Sequence, residues 1–461
     1  MSQSKYQTPE IKLTVPSSIL DSSGEEKQVT RGPGGRILTN TRVWSPDGEW
    51  IVYDTRSDAA GEGFNGDFVR MVNVRTGEVR DLYQSKNGAH CGVVTFHPRE
   101  EKVVFILGPE NPTPDWTYGM FHRQGLIVSA KSDAGINRAI NLDARDLTPP
   151  FTPGALRGGS HVHVWDAAGD WVSFTYEDHL LAQFKEATAQ NDINLRNVAV
   201  SLPGRAVRVS RDHPRNHDGA AFSVVVTRTT AHPKPGSDEI KKAYEEAWVG
   251  ERGYVRRDGT RQRRALAFQG DVLTEDGKTI SEVFLVDLPD DLTHPSEGPL
   301  AGTETKMPCP PKGCAQRRLT FTAKRKFPGL QGPRQWLRSS PDGSHIAFLM
   351  KDDEGVAQLW TVSPNGGEPK QITRNEWGIA SSFTWSPDGK RLTHVLDNTV
   401  CVTELAAGKT IRLTPRTDDA TAPRSEACVF SPNGKQIAYL RRIVDAGQVS
   451  NQIFVVAVAN P

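Results

Sequence analysis

Short alternations of apolar and polar residues, broken by a Pro-Asp-Gly or Pro-Asn-Gly turn, recur along this chain. VWSPDGEWIVY begins at Val43, RSSPDGSHIAFL at Arg338, TWSPDGKRLTHV at Thr384 and VFSPNGKQIAYL at Val429. Each reads as an apolar strand entering a turn and a second alternating strand leaving it. Pro sets φ at the first corner, and Gly supplies the positive φ that reverses the chain. Degenerate copies follow as VTFHPREEKVVFI from Val94, VWDAAGDWVSFTY from Val164 and AAFSVVVTRT from Ala220. The units also close alike, on RDLY (Arg80), RDLT (Arg145), VRVS (Val207), RRLT (Arg317), KQIT (Lys370) and IRLT (Ile411). The closing phrase missing after the last opening stands instead before the first one, as KQVT at Lys27.

That displacement is what a closed ring requires. A radial array of four-stranded sheets leaves open edges unless its two ends are joined, and one N-terminal strand completing the last sheet joins them. Repeats of about 40–50 residues have the period of propeller blades. The pattern therefore predicts an all-β, seven-bladed β-propeller, with blades opening near residues 42, 92, 161, 218, 335, 381 and 426. Residues 1–26 read as an N-terminal extension and 27–461 as a single propeller, with insertions in blade four at about 232–265 and 290–315. GSDEIKKAYEEAW reads as a helix capped by Ser237 or Asp238, followed by the Arg-rich loop ERGYVRRDGTRQRRA.

Composition agrees with short strands and tight turns: 36% hydrophobic residues, 41 Gly and 31 Pro. The 56 basic and 55 acidic side chains nearly cancel, which leaves no overall field for nucleic acid or an anionic membrane. No apolar run approaches a membrane span. The N-terminal sequence carries no secretory pattern, so a cytoplasmic location is expected. The five cysteines are scattered; Cys309 and Cys314 have the spacing of half a zinc knuckle without its other half, so a loop clip or two reduced thiols fit better. Neither a Gly-rich phosphate loop nor a G-x-S-x-G elbow is present.

The first strand of each blade lines the central channel. Counting four residues back from each opening aromatic, or from Ser339 in the fifth unit, gives Asn40, Gly92, His161, Asp218, Gln335, Ser381 and Glu426 near one mouth. His90 lies two residues before Gly92, His217 adjoins Asp218, and strand alternation puts His163 on the same face as His161. His90, His161, His163, His217 and Gln335 thus form a candidate set for a divalent metal, Mn or Zn. A metal-free polar site and plain structural hydrogen bonding are the other readings of the same residues.

The WSPDG turns and their closing phrases resemble the TolB-like propeller repeat over nearly the whole chain. That resemblance, to a family often labelled biopolymer transporter Tol, implies a propeller fold, periplasmic Tol-system work and a protein-binding role. A second resemblance is to oligogalacturonate lyases, cytoplasmic propellers of TolB-like repeat that hold manganese with three histidines and a glutamine. It implies a ligand set of His90, His161, His163 and Gln335. That family has a glutamine three residues before its His-x-His, where this chain has Gly158.

Eliminating a 4-linked uronate needs a neutralised carboxylate, a base for the C5 proton and help for the leaving oxygen. Tyr118, His122, Arg123, Tyr176 and His179 are the candidate catalytic residues. Asn40, His213, Arg215, Asp218 and Glu426 are the candidate substrate-binding residues. Tyr118 and Tyr176 could equally pack between blades, and the Arg252–Arg264 cluster could be a solvated surface. His97 occupies the serine position of a turn, and the tryptophans read as blade packing. The resulting expectation is a metal-assisted lyase on an acidic oligosaccharide, a hydrolase or epimerase being less favoured. The alternative is a non-catalytic propeller that presents its loop face to a protein partner.

Overall fold

The Pro-Asp-Gly and Pro-Asn-Gly turns reverse the chain through Gly48, Gly343, Gly389 and Gly434, whose φ values are 75°, 75°, 70° and 70°. Ser45, Ser340, Ser386 and Ser431 lock these turns. Each donates its backbone N–H to the carbonyl five residues on and accepts that residue's N–H on Oγ. His97 takes the serine's place in its own turn, its Nδ1 accepting the N–H groups of Arg99 (3.1 Å) and Glu100 (2.9 Å).

In this computed structural model, which describes residues 19–21, 24–58, 61–131, 136, 138–333, 336–445 and 447–458, the hairpins assemble into seven sheets of four or five strands. Their inner strands are Gly35–Ile37, Cys91–Phe96, Gly158–Trp165, Ile240–Trp248, Arg338–Ser339, Thr384–Trp385 and Pro423–Phe430, for blades one to seven in order. Blade seven is completed by Glu26–Gln28, antiparallel to Gln448–Ala457. Thr30 Oγ1 reaches Gln452 Oε1 at 2.8 Å, and Arg441 pairs with Glu26 at 2.8 Å. The N-terminal stretch does more than close the ring: Ile19–Asp21 joins blade six as a fifth strand, parallel to Thr410–Arg412. Among the described residues no helix is long and apolar enough to cross a membrane.

Blade four differs from the expected layout. Gly219–Val225, read above as its opening, is the outermost strand of blade three. The inner strand of blade four is Ile240–Trp248, the segment expected to be a helix. Its apolar spacing misleads because the strand bulges twice, between Ile240 and Ala243 and again between Tyr244 and Ala247. Each bulge adds a residue, so the buried positions Ile240, Ala243 and Ala247 fall at a helix-like interval. The Arg-rich loop is a small hairpin, Tyr254–Val255 against Arg261–Gln262, standing between the first and second strands of that blade.

A hydrogen bond joins the inner region at all seven junctions between blades. Indole N–H groups make three of them: Trp44 to Val429 O (3.0 Å), Trp248 to Val164 O (2.9 Å) and Trp385 to Arg338 O (3.0 Å). Hydroxyls make two, Thr95 to His163 O (2.7 Å) and Thr384 to Cys428 O (2.9 Å). Backbone donors make the rest, Phe96 to Arg42 O (2.7 Å) and Gly250 to Ser339 Oγ (3.0 Å). Apolar clusters fill the space outside them; one joins Val29, Ile37, Trp44 and Tyr53 to Val429, Leu440 and Ile453 across the first and last blades.

Removing residues 1–30 strips the closing strand and exposes the edge of Gln448–Ala457. The truncated protein is expected to melt several degrees lower and to self-associate with concentration. Thermal unfolding with light scattering checks this, and an unchanged midpoint in a monomer would refute the closing role.

Candidate functional site

The inner strands of blades two and three both kink at a valine. Val93 has φ 57° and Val162 φ 58°, a region that β-branched residues rarely enter, and the strand register shifts at each. At Val93 the kink is held by Asp54, whose Oδ1 accepts the valine N–H at 3.0 Å. Gly92 is needed beside it, since a Cβ there would lie 2.4 Å from Asp54 Oδ2. Asp54 in turn pairs with Arg56 at 2.7 Å, both side chains buried.

The kink at Val162 separates the two histidines that alternation put on one face. His161 lines a cavity of about 590 Å³ at a mouth of the channel. His163 is fully buried among the sheets, its ring 5.4 Å from Phe174 and close enough to Gly125 that a Cβ there would meet Nε2 at 2.7 Å. The cavity also takes in Asn40, Arg56, Glu62, Tyr118, Arg123, Trp336 and Glu426.

One wall of the cavity is a stack of charge and ring. The Arg56 guanidinium lies 5.3 Å from the Phe64 ring; Phe64 stacks on Tyr118 at 4.4 Å and 6°; Arg123 sits 5.2 Å from Tyr118 on its own side. Arg123 Nε donates to the Tyr118 hydroxyl at 3.1 Å. Asp54 neutralises Arg56, and Glu426 pairs with Arg424 at 2.9 Å. Arg123 has no carboxylate partner among the described residues, and its two terminal nitrogens make no hydrogen bond there. Burial holds the Tyr118 phenol above 10 despite Arg123 beside it. Burial, and then the charge of Arg123, drives the His161 imidazole well below 6.5, so it is neutral at physiological pH.

The remaining candidates lie elsewhere. His90 Nδ1 is 3.0 Å from Asp67 on the partly exposed surface. His122 Nε2 bonds His179 Nδ1 at 3.1 Å, and both rings pack on Trp116. Arg215 and His213 flank the same indole, Arg215 donating to the carbonyls of Glu110 (2.7 Å) and Asn111 (2.9 Å). Tyr176 is wholly buried and donates to Asp178, which also pairs with Arg157 at 2.6 Å, so its role is in packing. His217 and Asp218 sit at the start of the outermost strand of blade three, not at the channel. Asp218 pairs there with Arg208 and Arg211. Gln335 lies outside the described residues, next to Trp336. Sequence reasoning missed Arg56, Phe64 and Trp336. The alternation Asp54-x-Arg56, two charges on one face of an apolar strand, was the available signal for the first.

Residues 90–217, a span holding Tyr118, Arg123 and His161, match the family model described as "Protein of unknown function (DUF3748)". Over 418 residues, 90% of this chain and 94% of the other, the sequence is 46% identical to the Escherichia coli (strain K12) protein described as "Uncharacterized protein YidR". The chain belongs to the DUF3748 family. Among solved structures, this DUF3748 protein is similar to an oligogalacturonate lyase from Vibrio parahaemolyticus, with a TM-score of 0.54 and 10% identity over 97% of this chain and 98% of that one. It is also similar to an oligogalacturonate lyase in complex with manganese, at a TM-score of 0.53 and 10% identity over 97% of each. Identities this low speak for a shared fold.

The three described donors of the expected manganese set, His90, His161 and His163, do not gather at one place in this DUF3748 protein. Both ring nitrogens of His163 lack a hydrogen-bond partner, but that ring is sealed among the sheets while His161 faces the cavity. His90 is engaged with Asp67. Among the described residues no three His, Cys, Asp or Glu side chains gather closely enough to hold an ion.

Buried imidazoles make acid stability a readable property of this fold. Burial pushes His163 and His217 down to about 3 and His179 and His394 to about 4. The unfolded chain takes up these protons near pH 6.5, so stability is lost as pH falls from about 6.5 toward 4. Glu246, raised to about 7, and Asp143, raised to about 6, act in the opposite sense but are fewer. Denaturant unfolding across that range is expected to show the decline. His394→Gln should flatten it by about one proton; an identical slope in that variant would contradict the burial argument.

Proposed function

We propose that this protein is a carbohydrate lyase acting on a uronate-containing oligosaccharide held in the cavity at His161. The observation that carries this reading is the unpaired Arg123 guanidinium, set in an aromatic wall beside a neutral imidazole. A carboxylate is the natural partner for two free guanidinium nitrogens, and Phe64, Tyr118 and Trp336 give the same cavity an apolar side against which a sugar ring can lie. The fold shared with oligogalacturonate lyases supports the same substrate class.

The chemistry follows from those groups. Arg123 binds the uronate carboxylate and stabilises the charge that grows on it as the C5 proton leaves. His161, neutral and lining the cavity, accepts that proton on Nε2, since Nδ1 is sealed from the open space. The C5–H electrons form the C4–C5 double bond as the C4–O bond breaks. Tyr118, kept protonated by burial, gives its proton to the departing oxygen. Each group thus performs one of the three tasks of the elimination. Because the expected metal donors diverge, the charge on the carboxylate is assigned to Arg123, and activity is expected to survive chelation.

The test is the ultraviolet absorbance of the unsaturated product on oligogalacturonates and related acidic oligosaccharides, with EDTA and with added Mn2+. Arg123→Ala is expected to lower kcat/KM at least about 100-fold, the scale of removing a transition-state charge partner; Tyr118→Phe should lower kcat more than it raises KM. No absorbance change anywhere in the panel, with no binding by calorimetry, would favour a non-catalytic, protein-binding propeller. Activity found only with Mn2+ would restore the metal.

A further inference from the structure

The other end of the channel holds a second cavity, of about 490 Å³, at the Pro-Asp-Gly end of the inner strands. On the blade-three strand His161 and Val162 belong to the first cavity, and Val164 and Trp165 to the second. Arg338 stands between the two. It lines the second cavity, while its Nη2 donates at 3.2 Å to the carbonyl of Asn40, which lines the first.

Two features of this end lack an explanation in the fold. Arg42 lines the cavity with φ 53°, a left-handed backbone uncommon for a long side chain. Its guanidinium has no hydrogen bond or ion pair among the described residues, although burial depresses its pKa and only the more distant charges of Glu251 and Asp166 oppose that. Arg338 is 8% exposed, and its Nε has no partner. A strained backbone that presents an unpaired, half-buried cation to a cavity costs stability, and a bound anion offsets that cost.

We propose that this second cavity is a binding site for a small organic monocarboxylate with a flat apolar body, its carboxylate held between Arg42 and Arg338. Charge selects the class. Arg42, Arg99 and Arg338 line the cavity against Glu251 and the Glu246 carboxyl, which burial raises to about 7, so the cavity carries a surplus of one to two positive charges, which suits an anion. Shape selects the body. Trp44, Trp248 and Trp385 border the space with their N–H groups already engaged by neighbouring carbonyls, leaving carbon to contact a ligand.

The probes are benzoate, benzamide and inorganic phosphate, followed by calorimetry and thermal shift on the full chain. Benzoate is expected to bind and to raise the melting midpoint; benzamide and phosphate should bind at least about tenfold more weakly, as expected when a charge-assisted pair is absent or mismatched. Arg42→Gly suits the left-handed backbone, so it should melt no lower than the parent protein and lose benzoate binding about tenfold or more. Arg338→Gln should weaken it as well, while Arg123→Gln, at the opposite mouth, should leave it unchanged. Failure of benzoate to bind, undiminished binding in Arg42→Gly, or tighter binding of phosphate would each overturn the proposal. Loss of benzoate binding in Arg123→Gln would place the ligand at the first cavity instead and overturn it too.

Discussion

Seven hydrogen bonds, one at each junction between inner strands, hold this molecule in a ring. Each is worth only about 1 kcal/mol net, but a buried polar group left without its partner costs about 1–3 kcal/mol, so every blade is penalised for drifting from the next. The donors differ from junction to junction: an indole, a threonine hydroxyl or a backbone amide. What they share is position, near the turn end of the inner strand. The opposite side of the channel carries long loops such as 108–123. Tyr118 and Arg123, in the wall of the first cavity, come from that loop.

Rigid stitching also makes local backbone strain tolerable. Val93, Val162 and Glu245 occupy the same place in three consecutive blades, three residues before the aromatic that ends the strand, and all have φ between 55° and 58°. Strain of this kind costs about 1–3 kcal/mol per residue, and it recurs where the inner strand must turn its side chains between the cavity and the sheet interior. In blade three that turn is what gives His161 to the cavity and His163 to the packing. In blade two it is braced by Asp54, which also fixes Arg56 behind the aromatic stack. The candidate site is thus built from kinks and their supports rather than from regular strands.

These kinks explain how much of the molecule could be read from the sequence. Turn chemistry is local, so the Pro-Asp-Gly phrases revealed the blades, and the displaced KQVT phrase revealed the closing strand. Strict alternation fails wherever a bulge adds a residue. It wrongly joined His161 and His163 on one face, and it made IKKAYEEAW look helical when two bulges had spread its buried positions to a helical interval. Asn40, His161 and Glu426 line the cavity at the distance counted back from each aromatic, although for His161 and Glu426 that count spans a register shift, and Tyr118 and Arg123 were legible because the loop residues cluster in sequence. Arg56 and Phe64 come from the far side of blade one. No local pattern ties them to Tyr118, and only three-dimensional stacking does.

The closing strand has a consequence for how the chain reaches this state. Thr30 and Gln452, which meet in the finished ring, are separated by 422 positions. At ribosomal speeds of about 5–20 residues per second, the first residue waits roughly 20–80 s for its partner to be synthesised. Throughout translation the nascent polypeptide carries an unpaired N-terminal strand and a growing, unclosed arc with a bare edge at its leading blade. Protection of that edge in the cell, by a chaperone or by speed, is a demand set by topology alone, and it falls on every molecule made.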